Sequence, residues 1–429
     1  MSKNTFYVSA PVDTYSGYGA RSRDFVKALI ELDEYDVKIL PQRWGSTPQN
    51  FIQDHEEEWG FLRKHLITPQ LSEQPDIWCQ ITVPNEFQPI GKYNIGLTAG
   101  IETTACIPQW LEGCNKMDLI LTSSEHSKRV FKSTQFNVKD KNKQKKILKL
   151  TTPIEVLMEG ANLDVYKPIK SDFNLDEIED KWCYLFVGHW MQGNLGEDRK
   201  NVGLLVKSFY EIFKNKNKKP ALILKTSGAG SSYMDRNEIQ RKIDTIRKSI
   251  PSKDLPNVYI LHGELSDEDM NSLYNHPKIK AMVSLTKGEG FGRPLLEFSL
   301  VNKPIIASAW SGHIDFLKPE FTGLLAGTLK NVHQSAANDF IIKEAQWFNA
   351  DPNNIGYFLT DVFENIKTWN VKAKRQGYFS RTNFSFENMK SKMKELFEGN
   401  IPKIAKKEKL KLPENLTKIE LPKKEKSNG

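Results

Sequence analysis

Cysteine is scarce in this chain: 429 residues hold four, Cys79, Cys106, Cys114 and Cys183, with no CxxC pair. That is too few for a disulfide scaffold of this length, and reduced thiols are expected. Long hydrophobic runs are also missing. No window approaches the roughly 20 consecutive apolar residues of a membrane helix, and the opening MSKNT has no signal-peptide core. A soluble, cytoplasmic protein is the expectation, with peripheral membrane association and oligomeric state left open. Metal-ligand patterns are lacking too, since His189, His262 and His313 stand at no ligand spacing. The triplet Asp267-Glu268-Asp269 resembles a metal motif on paper, but it opens a helix capped by Ser266, so a metal-free site is expected.

A basic groove is the next absence. The net charge is +8, yet residues 139–149 and 401–429 carry +5 each, which leaves the rest of the chain at −2. Both stretches read as solvated loop or tail, and a nucleic-acid partner is not expected.

What the chain does have is a repeated α/β rhythm. Short apolar runs at 5–10, 36–40, 77–83, 94–101, 119–123 and 153–158 alternate with helical segments such as 23–32 and 127–131. The second half repeats the rhythm at 182–187, 221–226, 258–262, 279–285 and 304–308, with helices at 203–213 and 267–274. Such alternation predicts parallel sheets with crossover helices. At 39% hydrophobic residues, the chain has enough apolar surface for two full cores. The turn-rich segment 158–168 suggests the boundary, and 385–397 is the last convincing helix.

The most chemically suggestive stretch runs from Ser284 to Val301. A β-run is followed by a loop with Gly288, Gly290 and Gly292 and a helix opening at Pro294, a favoured place for proline. Glycines let the backbone approach a ligand, and the free N–H groups of a helix start suit an anion or polar oxygen. Glu289 and Glu297 flank this turn. Glu297 falls in an apolar run where an unpaired carboxylate is costly, so it either pairs with Arg293 one turn back or accepts from ligand hydroxyls.

Two other loops follow strands. Residues 185–188 end a strand, and Arg199 and Lys200 come just before the next helix, at the sheet end where open α/β folds bind ligands. Cations there suit a diphosphate. Near the N-terminus, residues 15–21 include Gly17 and Gly19. They lie six residues past the strand and lack the G-x-G-x-x-G pattern, so a flexible loop over an interdomain cleft is expected rather than a nicotinamide site.

Taken together these motifs resemble glycosyltransferase family 4, enzymes that retain anomeric configuration and adopt the GT-B fold. The resemblance rests on Phe186-Val187-Gly188 with Arg199-Lys200-Asn201, residues 258–268 with Leu273-Tyr274, and the run from Gly288 to Glu297. Lys303 to Ser308 and Gly312 continue it. It implies two Rossmann-like doubly wound domains facing a central cleft. Residues 1–158 would form the acceptor-side domain, joined by a returning helix at about 380–399, residues 159–379 the donor-binding domain, and 400–429 a disordered Lys-rich tail.

The resemblance also implies roles. A hexose would pass from a nucleotide-diphosphate sugar to a carbohydrate-type acceptor hydroxyl, without a cofactor or metal. Glu289 would contact the donor sugar, Gly290 and Phe291 would offer N–H groups beside Gly288 and Gly292, and Glu297 would hold the ribose. Lys200, helped by Arg199, would neutralise the diphosphate. The base would lie near the strand ending at His262, and Gly17 and Gly19 are placed on the donor side. Glu102 stands where many relatives carry a histidine near the reacting sugar, and His189 where many carry an arginine. These departures keep alternatives in view: a non-catalytic nucleotide-sugar-binding protein, or an epimerase or phosphorylase on the same fold.

Overall fold

A computed structural model describes residues 3–45, 47–68, 71, 73–139, 144–228 and 232–404. The N-terminal half contains β1 (Asn4–Ala10), β2 (Tyr35–Pro41), β3 (Ile77–Ile81), β4 (Tyr93–Thr98) and β5 (Leu119–Thr122). After these come β6 (Gln135–Lys139), β7 (Lys145–Lys149) and β8 (Ile154–Val156). Six of them form a parallel sheet in the order β2-β1-β3-β4-β5-β8. The central strands are short apolar runs because helices cover both faces: every residue of β3 and β5 is buried.

The second half contains β9 (Cys183–Val187), β10 (Ala221–Lys225), β11 (Val258–Leu261), β12 (Ile279–Ser284), β13 (Ile305–Ser308) and β14 (Gly323–Leu325). These too are parallel, in the order β11-β10-β9-β12-β13-β14. The order reverses between β9 and β12. In an open α/β sheet, ligands bind outside the carboxyl ends of the strands at such a reversal. An antiparallel pair, β15 (Gly327–Asn331) and β16 (Gln346–Ala350), extends from this domain. The helix Phe386–Asn400 returns to the first domain, where Met389, Met393 and Phe397 join its core and Phe397 packs on Phe6.

Several local expectations change. The flexible loop at Gly17 and Gly19 is instead the first turn of the helix Gly17–Glu31, because the Ser16 side chain caps it by accepting from Gly19 N–H at 2.9 Å. Residues 140–143 of the lysine run 139–149 lie outside the described residues, and most of the rest is strand rather than loop. Its described part forms the β6–β7 ribbon, in which Phe136 pairs with Leu148 on the half-buried inner face while Lys139, Lys145 and Lys149 face outward. The helix after the glycine loop opens at Arg293 rather than Pro294, following Gly292 at φ +99. The tail beyond residue 404 lies outside the described residues.

Candidate functional site

The site begins with the turn after β12. Gly292, at φ +99, sits in the left-handed region that favours glycine and so swings the chain into the helix Arg293–Leu300. Gly288 and Gly290 are required for another reason. A Cβ at Gly288 would lie 1.9 Å from the Glu102 carbonyl oxygen, and one at Gly290 would lie 2.5 Å from that of Ala99. The turn after β4 in the first domain therefore rests directly on the glycine loop of the second. Among the described residues, the N–H groups of Gly290 and Phe291 donate to no protein acceptor. They are available donors of the kind that anion sites use.

Arg199 and Lys200 reach this turn from the end of the β9 loop, which Lys287 N–H fastens by donating to the Arg199 carbonyl at 2.8 Å. Lys200 Nζ donates to Glu289 Oε1 at 2.6 Å. Arg199 donates to Glu289 Oε2 at 3.2 Å and to the Gly288 carbonyl at 2.9 Å, and lies 3.5 Å from Glu102 Oε1. Glu102, Arg199, Lys200 and Glu289 thus meet as one charge-balanced cluster across the two domains. Burial alone would raise the Glu289 carboxyl, but Lys200 and Arg199 outweigh it and hold it at about 2. Burial lowers Lys200, an effect that Glu289 partly offsets, whereas Glu102 and Glu289 overcome burial to raise Arg199. Ser311, which the sequence reading missed, accepts from Glu289 N–H at 2.9 Å and keeps the loop in place.

Glu297 lies one turn into the helix and is 6% exposed. The structure shows the pairing with Arg293 that the sequence offered as one of its two readings. Arg293 Nε donates to its Oε1 at 2.8 Å, and Tyr274 Oη lies 3.5 Å from Oε2. Arg293 also bonds Asp24 of the first domain at 2.5 Å and lies 3.9 Å from Glu159. Arg293 does not offset the desolvation of Glu297, nor do Arg21 and Arg293 together offset that of Glu159. Burial accordingly raises Glu297 to about 8, against the lowering effect of Arg293, and Glu159 is raised as well.

This has a sign that can be checked. The folded chain keeps a proton on Glu297 that the unfolded chain releases near the ordinary glutamate value of 4.5. The stabilisation is full below that value and is lost as pH rises toward about 8. Chemical denaturation is expected to find the wild type losing on the order of 3 kcal/mol relative to Glu297→Gln between pH 5 and 8. Parallel pH profiles would contradict the assignment.

Other expected residues lie apart from the cluster. Gly17 and Gly19 approach the cleft only through Tyr18, whose hydroxyl accepts from Ala99 N–H at 3.0 Å. A Cβ at Gly19 would lie 2.2 Å from the Thr14 carbonyl oxygen, so this glycine serves packing. His262 pairs with Asp235 at 2.8 Å, beside the ends of β10 and β11. His189 faces Ser227 at 2.9 Å, and the Phe291 ring is buried against Phe316. Ser124 caps the helix Glu125–Ser133, as an ordinary N-cap. Among the described residues, no group of three or more His, Cys, Asp or Glu is arranged to hold a metal ion. No described helix is long and apolar enough to cross a membrane.

Residues 170–343 match the family model described as glycosyl transferases group 1. No curated protein matches the chain. Among solved structures, the chain is similar to sucrose-phosphate synthase from Thermosynechococcus elongatus: TM-score 0.61, 11% identity, covering 92% of this chain and 99% of that one. HepE from Anabaena, in complex with UDP and glucose, gives a TM-score of 0.59 at 12% identity, covering 92% and 100%. A glycosyltransferase from Rickettsia africae gives 0.59 at 12%, covering 94% and 100%. At such identities the likeness concerns the fold, which is the two-domain GT-B arrangement.

Proposed function

We propose that this chain is a retaining glycosyltransferase that moves a hexose from a nucleotide-diphosphate sugar to an acceptor hydroxyl. The observation that carries the reading is the Glu102–Arg199–Lys200–Glu289 cluster, which forms where the two domains meet at the topological reversal of the second sheet. The matched segment and the fold support it, and the UDP and UDP-glucose complexes of HepE give the kind of donor to test first.

In this reading the diphosphate lies at the free N–H groups of Gly290 and Phe291 and draws on Lys200 and Arg199. Glu289, held anionic by the same cations, then accepts from donor-sugar hydroxyls. Charge builds on the leaving phosphate oxygen as the glycosidic bond breaks, and the two cations stabilise it without calling for a metal. The leaving oxygen takes the acceptor proton in a front-face displacement, so the sugar keeps its configuration. Glu102 reaches the reacting sugar from the first domain, and Glu297 holds the ribose. A closed cleft excludes water, which would otherwise compete as the acceptor.

A ligand that binds only the folded state raises apparent stability. A thermal-shift panel of nucleotide sugars is expected to yield at least one with a saturable rise in Tm, stronger than that of its free sugar. No response across the uridine, guanosine, adenosine and cytidine series would remove the donor reading.

A further inference from the structure

The β15–β16 arm touches every segment that brings a charged group to the cluster. Its strand β16 is bonded on one side to the first domain: Thr104 N–H donates to the Gln346 carbonyl at 2.8 Å, and Gln346 N–H donates to Thr104 Oγ1 at 2.9 Å. Thr104 is two residues beyond Glu102. Two residues along β16, Phe348 N–H donates to the Lys287 carbonyl at 3.0 Å, two residues before Glu289. Lys287 is itself fully buried, bonded to Asn349 and set over the Trp347 ring at 5.4 Å. The connection between β15 and β16 adds a third tie, since Ser335 Oγ accepts from Asn194 N–H at 3.0 Å in the loop that leads to Arg199 and Lys200.

Apolar contacts reinforce these bonds. Phe340 lies 6.1 Å from Trp110 of the first domain, Ile342 packs on that domain's core, and Ala105 packs with Trp347. A short strand bonded at fixed register to both carboxylate-bearing loops holds their spacing. We propose that residues 327–350 form an interdomain brace that sets Glu102 against Glu289 and the two cations, with Thr104 and Gln346 as positioning residues. This rests on the transfer reading for its consequence in catalysis, but not for its geometry.

The test separates the two. All four native cysteines are buried, so labels can be directed to exposed positions by Lys116→Cys in the first domain and Lys218→Cys in the second. The full chain is expected to give one narrow label-to-label distance distribution. Thr104→Val, which removes the acceptor of Gln346 N–H, and Phe340→Ala, at a residue already 41% exposed, should each broaden and lengthen it. They should lower kcat by about 10- to 100-fold while leaving donor affinity within about twofold, because misplaced groups cost turnover before binding. Thr104→Ser should restore both readouts. An unchanged distance distribution in both variants overturns the brace, and broadening with unchanged kcat overturns its positioning role. If the parent chain turns over no nucleotide sugar, the transfer reading fails and the distances alone decide the brace.

Discussion

Lys200→Ala is expected to lower kcat by about 10²- to 10³-fold, the range seen when one preorganised donor to a developing negative charge is removed. The lysine is placed for that effect. Its ammonium lies 2.6 Å from Glu289, its side chain is 14% exposed, and Glu289 directly precedes the free N–H groups of Gly290 and Phe291. Charge in such a partly dehydrated site is worth more than in water. The fold should tolerate the change, because Glu289 keeps Arg199 at 3.2 Å and Ser311 keeps the backbone. Donor KM should move less than kcat, since the interaction strengthens as the leaving group departs. Steady-state kinetics on the variant check this, and an unchanged kcat with intact donor binding would refute the role of Lys200.

The second large effect concerns Arg293, which the sequence offers as a partner of Glu297 and which is also an interdomain tie in the fold. Its guanidinium bonds Asp24 from the helix Gly17–Glu31 and Glu297 from its own helix, with Glu159 at 3.9 Å. The carboxylates are nearly buried: Asp24 is 8% exposed, Glu159 8% and Glu297 6%. With Glu297 largely protonated at pH 7, Arg293→Leu mainly breaks the Asp24–Arg293 pair, and breaking a buried pair by removing one partner typically costs about 3–5 kcal/mol. Urea denaturation at pH 7 should register that loss. Arg293→Lys should recover only part, because an ammonium cannot reproduce the forked geometry. A loss below about 1 kcal/mol in Arg293→Leu would mean that the network is a bystander.

The sheets were readable from sequence because parallel strands covered on both faces are compact apolar runs, and β3 and β9 to β13 lie within the runs expected. Lys200 and Glu289 were readable for a related reason, since each lies in the loop between a strand's carboxyl end and the next helix. Glu102 was placed near the reacting sugar only through the resemblance, and its contact with Arg199 was not anticipated. Contact between residues 102 and 199 depends on how two domains close, which local pattern does not encode. The Asp24–Arg293 bond spans 269 positions and was invisible for the same cause. Other misses had usable signals. Ser16 before Gly17 is a helix-cap pattern that the glycines obscured, and Phe136, Val138 and Leu148 alternate on the inner face of the lysine ribbon. The β15–β16 arm had weaker cues, because GTLKN and QWFNA follow no clean alternation and draw their order from contacts with both domains.

The most direct test of the account is to incubate the full chain with the nucleotide sugar that gives the largest thermal shift and a panel of carbohydrate acceptors, and to quantify both products. The account predicts nucleoside diphosphate and glycosylated acceptor in equal amounts, with the donor's anomeric configuration retained and both products nearly abolished in Glu289→Gln. Tight donor binding with no acceptor-dependent diphosphate release, or transfer that Glu289→Gln leaves intact, would contradict it.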